Sequence, residues 1–339
     1  MRTYQLQSGA GIGALVQTDL ASRPLGPRDV RVRMRAAALN ARDLAFARGA
    51  FYNPPSHPIV PLVDGCGEVV EIGDEVTRFV VGERVITNYY PRWIDGTITP
   101  AKTAVSFGAQ LDGTLAEELV TDQEGLVRAP ASLDDRAAAT LSCAGLTAWH
   151  ALFGVATLQP GATVLLLGTG GVSIWALQLA SAAGLFPIIT SSQDDKLERA
   201  VSLGARATVN YRSTPEWQKE VIGLTHGLGA DLVVEVGGEG TLARSLQASR
   251  AGGTVVVIGR VSGGGGVSIE PGALIGGAKR LTGITTGSRA MLEDLVRFVD
   301  SAAITPAIDK VFGFGEARDA YDYVAHGQHF GKTVIDFSQ

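Results

Sequence analysis

The distribution of apolar and polar residues divides the chain into two parts with different periodicities. In the first third, short segments alternate apolar and polar residues with a period of two, and Gly and Pro residues separate them. This pattern predicts half-buried strands at residues 30–35, 67–73 and 82–87, with a long irregular segment over residues 89–112. We therefore expect an antiparallel, barrel-like small domain.

A different pattern begins near residue 133. Residues 134–152 are rich in alanine and typical of a helix, and from residue 162 onward apolar runs of strand length alternate with helix-period segments. This alternation predicts a doubly wound parallel sheet, and a last helix (316–326) and strand (332–337) are expected to return to the first domain. The predicted strands of the parallel sheet are 163–167, 186–190, 207–209, 231–235, 254–258 and 280–284, with helices at 195–203 and 241–249 among those between them.

A glycine turn follows the first predicted strand of this sheet, and a helix-period segment follows the turn. Glycines there permit a tight turn and let a pyrophosphate approach the amide groups of the helix N-terminus. Ser173 stands where the usual fingerprint has its third glycine. The strand before the turn and the helix behind it favour a dinucleotide site over an ordinary glycine-rich turn. The predicted cofactor-binding residues of this turn are Gly168, Thr169, Gly170, Gly171 and Val172.

The end of the second predicted strand indicates which dinucleotide is bound. Ser191 and Ser192 stand where a carboxylate would bind an unphosphorylated ribose, and Lys196 follows one helical turn later. Hydroxyl and ammonium donors suit a 2′-phosphate, so we predict NADP(H) as the cofactor. Alternatively, the serines cap a helix and Lys196 is simply solvated, and Asp194 or Asp195 serves a ribose instead.

Composition limits the classes of function. The chain has 339 residues, of which 45% are hydrophobic and 19% charged, and its net charge is −5. These values are typical of a folded two-domain protein, and without a Lys/Arg stripe we expect neither nucleic acid nor membrane as a partner. The two cysteines, Cys66 and Cys143, cannot form a disulfide framework, and no apolar signal core is apparent. We expect a cytoplasmic protein.

Besides the glycine turn, five segments carry a resemblance to a known family: 39–44, 63–73, 144–149, 257–259 and 329–332. By these segments the chain resembles the medium-chain dehydrogenase/reductase superfamily, and within it the zinc-independent, quinone-oxidoreductase-like branch. The resemblance implies an α/β protein with a GroES-like β-barrel catalytic domain (1–127 and 286–339) and a Rossmann domain (128–285). It also implies a homodimer formed through the outer strands of the nucleotide-binding sheets.

The resemblance also bears on metal binding. Alcohol dehydrogenases of this superfamily hold a catalytic zinc through two cysteines and a histidine, and the corresponding positions here are Asn40, Val63 and Cys143. A catalytic zinc needs three protein ligands, and only Cys143 has a ligating side chain. The region of the structural zinc lobe, residues 87–112, contains no cysteine, and the five histidines show no ligand spacing. We therefore predict no metal site, and we interpret Cys143 as a small buried residue.

Without a Lewis acid, the reaction that remains is hydride transfer to a small molecule that is already electrophilic. Quinones and α,β-unsaturated carbonyls qualify, because hydrogen bonds suffice to stabilise the oxyanion that develops. The main hypothesis is therefore an NADPH-dependent quinone or enone reductase. An NADPH-dependent carbonyl reductase or alcohol dehydrogenase is the first alternative, and a non-catalytic NADPH-binding structural or regulatory protein is the second.

The resemblance suggests roles for individual residues near the substrate. Asn40 and Asp43 are the predicted polar catalytic residues, although Asn40 is equally readable as a structural amide and Asp43 as a helix cap or a partner of the neighbouring arginine. Tyr52 is the predicted oxygen-binding donor, and Phe51 is the alternative aligned residue and a substrate contact. Trp93 is either an aromatic lid over a planar substrate or part of a small core under the 89–112 segment.

Further cofactor contacts are implied by the same resemblance. Several follow predicted strands at the carboxyl edge of the sheet, where ligands bind in this architecture. Lys332 is expected to reach the pyrophosphate or a ribose. The others are Thr147, Tyr211, Gly237, Gly259, Arg260, Thr285 and Thr286.

Overall fold

A computed structural model describes residues 1–51, 53–261 and 266–339. They group into two compact units, one formed by residues 1–146 and 286–339 and the other by residues 147–285. The strands are β1 (Arg2–Gln5), β2 (Val16–Asp19), β3 (Asp29–Leu39), β4 (Asp64–Ile72), β5 (Arg84–Thr87), β6 (Glu118–Asp122), β7 (Leu126–Arg128), β8 (Thr163–Leu166), β9 (Phe186–Ser191), β10 (Ala207–Asn210), β11 (Ala230–Glu235), β12 (Ser249–Val257), β13 (Arg280–Gly283), β14 (Ile308–Gly313) and β15 (Lys332–Asp336). The α-helices are α1 (Ala41–Ala47), α2 (Asp135–Ala138), α3 (Leu146–Trp149), α4 (Gly171–Ala182), α5 (Asp194–Ser202), α6 (Trp217–Leu224), α7 (Leu242–Ala248), α8 (Gly272–Ile275), α9 (Arg289–Ala302) and α10 (Ala317–Ala325).

The first unit is built around β3, the longest strand. β3 pairs antiparallel with β4, β6 and β15, in a sheet of order β14-β15-β3-β4-β5-β7. Its first residues alternate in burial as the period-two pattern predicts, and its last four residues are all buried. The residue that follows β3, Asn40, is therefore held at the end of a buried, paired strand. The pairing of β15 with β3 confirms that the end of the chain returns to this unit.

The second unit contains a six-stranded parallel sheet of order β10-β9-β8-β11-β12-β13. This confirms the predicted Rossmann sheet, and each of the six predicted strands is present. The strand order reverses between β8 and β11, which is where this fold binds ligands. β13 is the outer strand on one side, and the predicted pairing of two copies through it stays a prediction.

Residues 134–152 are helical through most of their length, as predicted, but they do not form one regular α-helix. The one-turn α-helices α2 and α3 alternate with wider π-helical turns at Leu141–Gly145 and His150–Gly154. The structure groups residues 128–146 with the first unit, whereas the sequence analysis assigned them to the Rossmann domain. Two ion pairs connect α2 with first-unit strands. Arg84 Nε lies 2.8 Å from Asp135 Oδ1, and Arg136 contacts Asp336.

No helix in the described part of the chain is both long enough and apolar enough to cross a membrane.

Candidate active site

Asn40 and Asp43 lie at the start of helix α1, immediately after β3. Asp43 Oδ2 accepts the backbone N–H of Asn40 at 2.8 Å, and the Asp43 N–H donates to Asn40 O at 3.0 Å. This reciprocal arrangement satisfies amide groups that a helix N-terminus leaves open. Asp43 is only 2% exposed. The geometry therefore gives Asp43 the helix-capping role among the predicted alternatives, and its carboxyl group fixes the backbone of Asn40.

The side chain of Asn40 belongs to a buried polar cluster with Asp64 and Lys332. Asn40 Nδ2 donates to Asp64 Oδ2 at 2.9 Å, and Asn40 Oδ1 accepts from Lys332 Nζ at 2.6 Å. Lys332 Nζ also donates to Asp64 Oδ2 at 3.0 Å and to Leu39 O at 2.7 Å. An ammonium has three N–H donors, so this set of acceptors uses all of them. The ammonium of Lys332 is thus committed within the first unit, and its predicted contact with the cofactor would need one of these bonds to break.

Asp64 is the charged partner in this cluster that the sequence analysis missed. It is fully buried, and burial raises the pKa of its carboxyl group, while the charge of Lys332 opposes that increase. Asp64 Oδ1 has no hydrogen-bond partner among the described residues. The signal available in the sequence was a single acid inside the apolar run of residues 59–66.

These residues do not fit a catalytic zinc. Of the three ligand positions given by the resemblance, Val63 has no donor atom, and Asn40 is hydrogen-bonded to the Lys332 ammonium. Burial, with the nearby Asp64 charge, raises the pKa of the Cys143 thiol, which disfavours the thiolate that a metal requires. Over the described residues, no three His, Cys, Asp or Glu side chains come together as a metal site.

Arg42 connects helix α1 with the irregular segment 89–112. Its Nη1 donates to Phe107 O at 2.8 Å and its Nη2 to Ser106 Oγ at 3.3 Å. The guanidinium carbon also lies 4.8 Å from the ring centroids of both Phe51 and Tyr89. These distances are those of cation–π contacts. Arg42 therefore fixes a predicted substrate contact, Phe51, relative to the helix that begins at Asn40.

Trp93 and Tyr52 are the two other aromatic residues with predicted roles. Trp93 is 2% exposed, and its indole N–H donates to Gly96 O at 2.9 Å. This placement favours the interpretation of Trp93 as part of the packing under the 89–112 segment. Tyr52 lies outside the described residues, so its predicted role as an oxygen-binding donor stays a prediction.

Asp43 gives the site a testable pH dependence. Burial raises the pKa of its carboxyl group to about 6, although Arg42 and the Asn40 N–H oppose this. The folded state therefore binds a proton more tightly than the unfolded state, and stability contributed by the protonated form is lost as pH rises from about 4 to about 6. Asp43→Asn keeps an acceptor for the Asn40 N–H but cannot ionise.

We expect the free energy of unfolding of the Asp43→Asn variant, relative to wild type, to rise by about 2 kcal/mol between about pH 4.5 and about pH 8. Chemical denaturation of both proteins at the two pH values measures this difference. Comparing the two proteins at each pH cancels the titration of all other groups. A difference that stays constant with pH would contradict the buried, proton-retaining carboxyl group.

The predicted nucleotide turn lies between β8 and helix α4. Gly168 has φ 72°, and its N–H donates to Thr190 Oγ1 at 3.1 Å. A Cβ atom at Gly168 or Gly170 would meet no heavy atom of the described residues within 4 Å, so open space lies in front of the helix. Ser173, at the third glycine position, donates from Oγ to Leu167 O at 2.7 Å. The turn and the 12-residue helix behind it fit a pyrophosphate.

The residues predicted to select the cofactor lie at the ends of β9 and β10. Ser191 is buried and pairs in register with Asn210, and its Oγ accepts the N–H of Gln193 at 3.2 Å, which leaves the hydroxyl hydrogen free to donate. Lys196 is 7% exposed, so the alternative of a simply solvated lysine does not describe it. Asp194 is exposed and accepts from Asn210 Nδ2 at 2.7 Å.

The remaining predicted cofactor residues lie in three places. Gly237, Gly259 and Arg260 come together, because the loop after β11 packs on the loop after β12. Tyr211 is 43% exposed at the end of β10. The other predicted residues are partly or fully buried, namely Thr147, Thr285 and Thr286.

Comparison with known proteins agrees with this architecture. Residues 26–131 match the family model of the alcohol dehydrogenase GroES-like domain, and residues 171–301 match that of zinc-binding dehydrogenases. A zinc-type alcohol dehydrogenase-like protein of Schizosaccharomyces pombe is 40% identical over 92% of this chain and 91% of its own length. A quinone oxidoreductase of Pseudomonas aeruginosa is 30% identical over 98% of this chain and 99% of its own length.

A crystal structure of a putative alcohol dehydrogenase from Sinorhizobium meliloti superimposes with a TM-score of 0.92 and 37% identity, covering 99% of both chains. The similarity therefore extends through both compact units. The chain is an oxidoreductase that belongs to the medium-chain dehydrogenase/reductase superfamily, whose members use a nicotinamide cofactor.

Proposed function

We propose that this protein is an NADPH-dependent, metal-free reductase that transfers hydride to quinones or α,β-unsaturated carbonyls. The observation that carries the proposal is the buried cluster of Asn40, Asp64 and Lys332, in which an ammonium is bonded to a side chain that corresponds to a zinc ligand in alcohol dehydrogenases. A site without a metal donor set does not favour deprotonation of an alcohol at neutral pH. The acceptor must then be electrophilic by itself.

Asn40 is the hydrogen-bond donor that we assign to the acceptor oxygen. One Nδ2–H is used by Asp64, and among the described residues the other has only Ala38 O, at 3.5 Å, a distance at which a hydrogen bond is weak. The Lys332 ammonium bonded to Asn40 Oδ1 polarises the amide and makes its N–H groups stronger donors. Such a donor stabilises negative charge that develops on an enolate or phenolate oxygen. A proton from water completes the reduction.

NADP(H) is supported by the donors at the ends of β9 and β10. Ser191, Ser192 and Lys196 would hold the 2′-phosphate, and Arg212 follows β10 beside them, with no ion pair to the other described residues. Gly168 and Gly170 would leave room for the pyrophosphate at α4. When bound, the reduced cofactor supplies the hydride. The chain itself contributes binding, orientation and the polarised amide of Asn40.

The first test is NADPH oxidation with an aromatic ortho-quinone, an acyclic enone and a simple aldehyde, with NADH in parallel. We expect turnover of quinone or enone with NADPH preferred. The Asn40→Ala variant tests the proposed donor. Its kcat should fall about tenfold or more, because it removes the donor to the developing oxyanion, while its affinity for NADPH should be unchanged. No turnover with any acceptor, despite NADPH binding, would overturn the proposal.

A carbonyl reductase or alcohol dehydrogenase is the second candidate. The similarity to a protein named as alcohol dehydrogenase-like, at 40% identity, favours it. Turnover of the aldehyde without turnover of the enone would identify this activity.

A further inference from the structure

Glu235, the last residue of β11, is a buried carboxyl group without an ion-pair partner in the described part of the chain. It is fully buried, and its Oε1 accepts the N–H groups of Gly237 at 2.7 Å and Gly238 at 2.9 Å. Thr241 Oγ1 also donates to Oε1, at 2.5 Å, and the Ser245 hydroxyl contacts Oε2. No lysine or arginine of the described chain forms an ion pair with it. A buried carboxylate held only by backbone and hydroxyl dipoles is costly, and an unusual choice for a purely structural position.

The position of Glu235 in the sheet points to a ligand. β11 lies beside β8, with Val234 opposite Leu166, and the strand order reverses between these two strands. In this fold a dinucleotide binds across the crevice at that reversal, with one mononucleotide on each half of the sheet. The glycine turn that follows β8 belongs to the half that receives the pyrophosphate. β11 opens the other half, which receives the nicotinamide nucleotide.

Glu235 also shapes the loop that follows β11. Its three bonds at Oε1 draw residues 237–241 back over the end of the strand. Gly238, with φ 87°, then packs so closely on the loop after β12 that a Cβ atom would lie 3.1 Å from Arg260 Cα. The loop that carries the predicted cofactor residue Gly237 is therefore built on this carboxylate.

We propose that Glu235 positions the nicotinamide-side loop and that its negative charge makes the site favour oxidised over reduced cofactor; this inference rests on the proposed function. The oxidised nicotinamide ring carries a positive charge and the reduced ring is neutral. A fixed negative charge in a region of low dielectric constant attracts only the charged ring. The loop-shaping role acts on both forms of the cofactor, whereas the charge acts on one.

Isothermal titration calorimetry of NADP⁺ and NADPH binding separates these two effects. We expect Glu235→Gln to weaken binding of both forms, because an amide nitrogen replaces one acceptor oxygen. We expect it to weaken binding of NADP⁺ more than binding of NADPH, so that the dissociation constant of NADP⁺ divided by that of NADPH rises about three- to tenfold. Equal weakening of NADP⁺ and NADPH binding would overturn the role of the charge and leave Glu235 with a structural role only.

Thr241→Val is the matched variant, since it removes a donor to Oε1 and keeps the charge. With one dipole fewer to neutralise it, the carboxylate should act more strongly on the ring, so the ratio should fall about twofold, opposite to Glu235→Gln. A ratio that is unchanged or moves the same way overturns the proposal even where Glu235→Gln fails to fold. If wild type binds neither form of the cofactor, it is the proposed function that fails.

Discussion

Replacing Lys332 with methionine is expected to lower the free energy of unfolding by about 3–5 kcal/mol near pH 8, the largest stability effect of any substitution discussed for this chain. Methionine fills the volume of the side chain but removes the ammonium. The Asp64 carboxylate would then be fully buried, with Asn40 as its remaining hydrogen-bond donor. Chemical denaturation of the variant and of wild type measures the loss.

The pH dependence of this loss identifies its cause. Burial already raises the pKa of Asp64, and removal of Lys332 removes the charge that opposes the increase. Asp64 can then escape the cost of burial by binding a proton, so the loss should be smaller near pH 5 than near pH 8. A loss that does not change with pH would point to packing rather than to charge.

The matched control is the double variant Asp64→Asn with Lys332→Met. It removes both charges, and an asparagine still offers an acceptor to the amide of Asn40. We expect it to recover most of the stability lost in Lys332→Met, because a buried ion pair contributes little net stability when both partners are replaced. A double variant that is no more stable than the single one would show that the Lys332–Asp64 pair is not coupled in this way.

The buried cluster of Asn40, Asp64 and Lys332 could not be predicted from the sequence as a whole. Asn40 and Lys332 were both identified as site residues, but they lie 292 positions apart, and Asp64 and Lys332 are separated by 268. Periodicity and local motifs carry no information about which distant side chains meet. Lys332 was therefore assigned to the cofactor, whereas the structure joins its ammonium to a strand-end carbonyl, an amide and a carboxylate.

The fold was more accessible to prediction than the site. The strands of the parallel sheet, such as β8 and β11, are buried on both faces, so they appear in the sequence as continuous apolar runs between glycine and polar breaks. The short strands β1 and β2 were not predicted, because their burial follows no clear alternation over four residues each. The helical character of residues 134–152 was predicted, but the wider π-helical turns within the segment were not, since alanine-rich sequence indicates helix without distinguishing the width of its turns.

The nucleotide turn supplies the second large expected effect, on cofactor binding rather than on stability. Gly170→Ala should raise the dissociation constant of NADPH at least about thirtyfold, which corresponds to about 2 kcal/mol. Gly170 has φ −78°, so alanine adopts its backbone conformation without strain. An added Cβ would meet no described atom within 4 Å, so the unliganded protein accommodates it. The methyl group would instead lie in the space where the turn and the α4 N-terminus receive the pyrophosphate.

Weaker NADPH binding together with unchanged thermal stability distinguishes a ligand-binding glycine from a structural one. We expect the melting temperature of Gly170→Ala to stay close to that of wild type, because the only cost is a slightly poorer helix N-cap. Gly223→Ala is the matched control within the same unit, since a Cβ there also meets open space, and Gly223 lies in helix α6, away from the turn. It should leave NADPH affinity unchanged. If Gly170→Ala binds NADPH as tightly as Gly223→Ala does, then the open space at Gly170 does not receive the cofactor. The dinucleotide site would then have to be sought elsewhere along the carboxyl edge of the sheet.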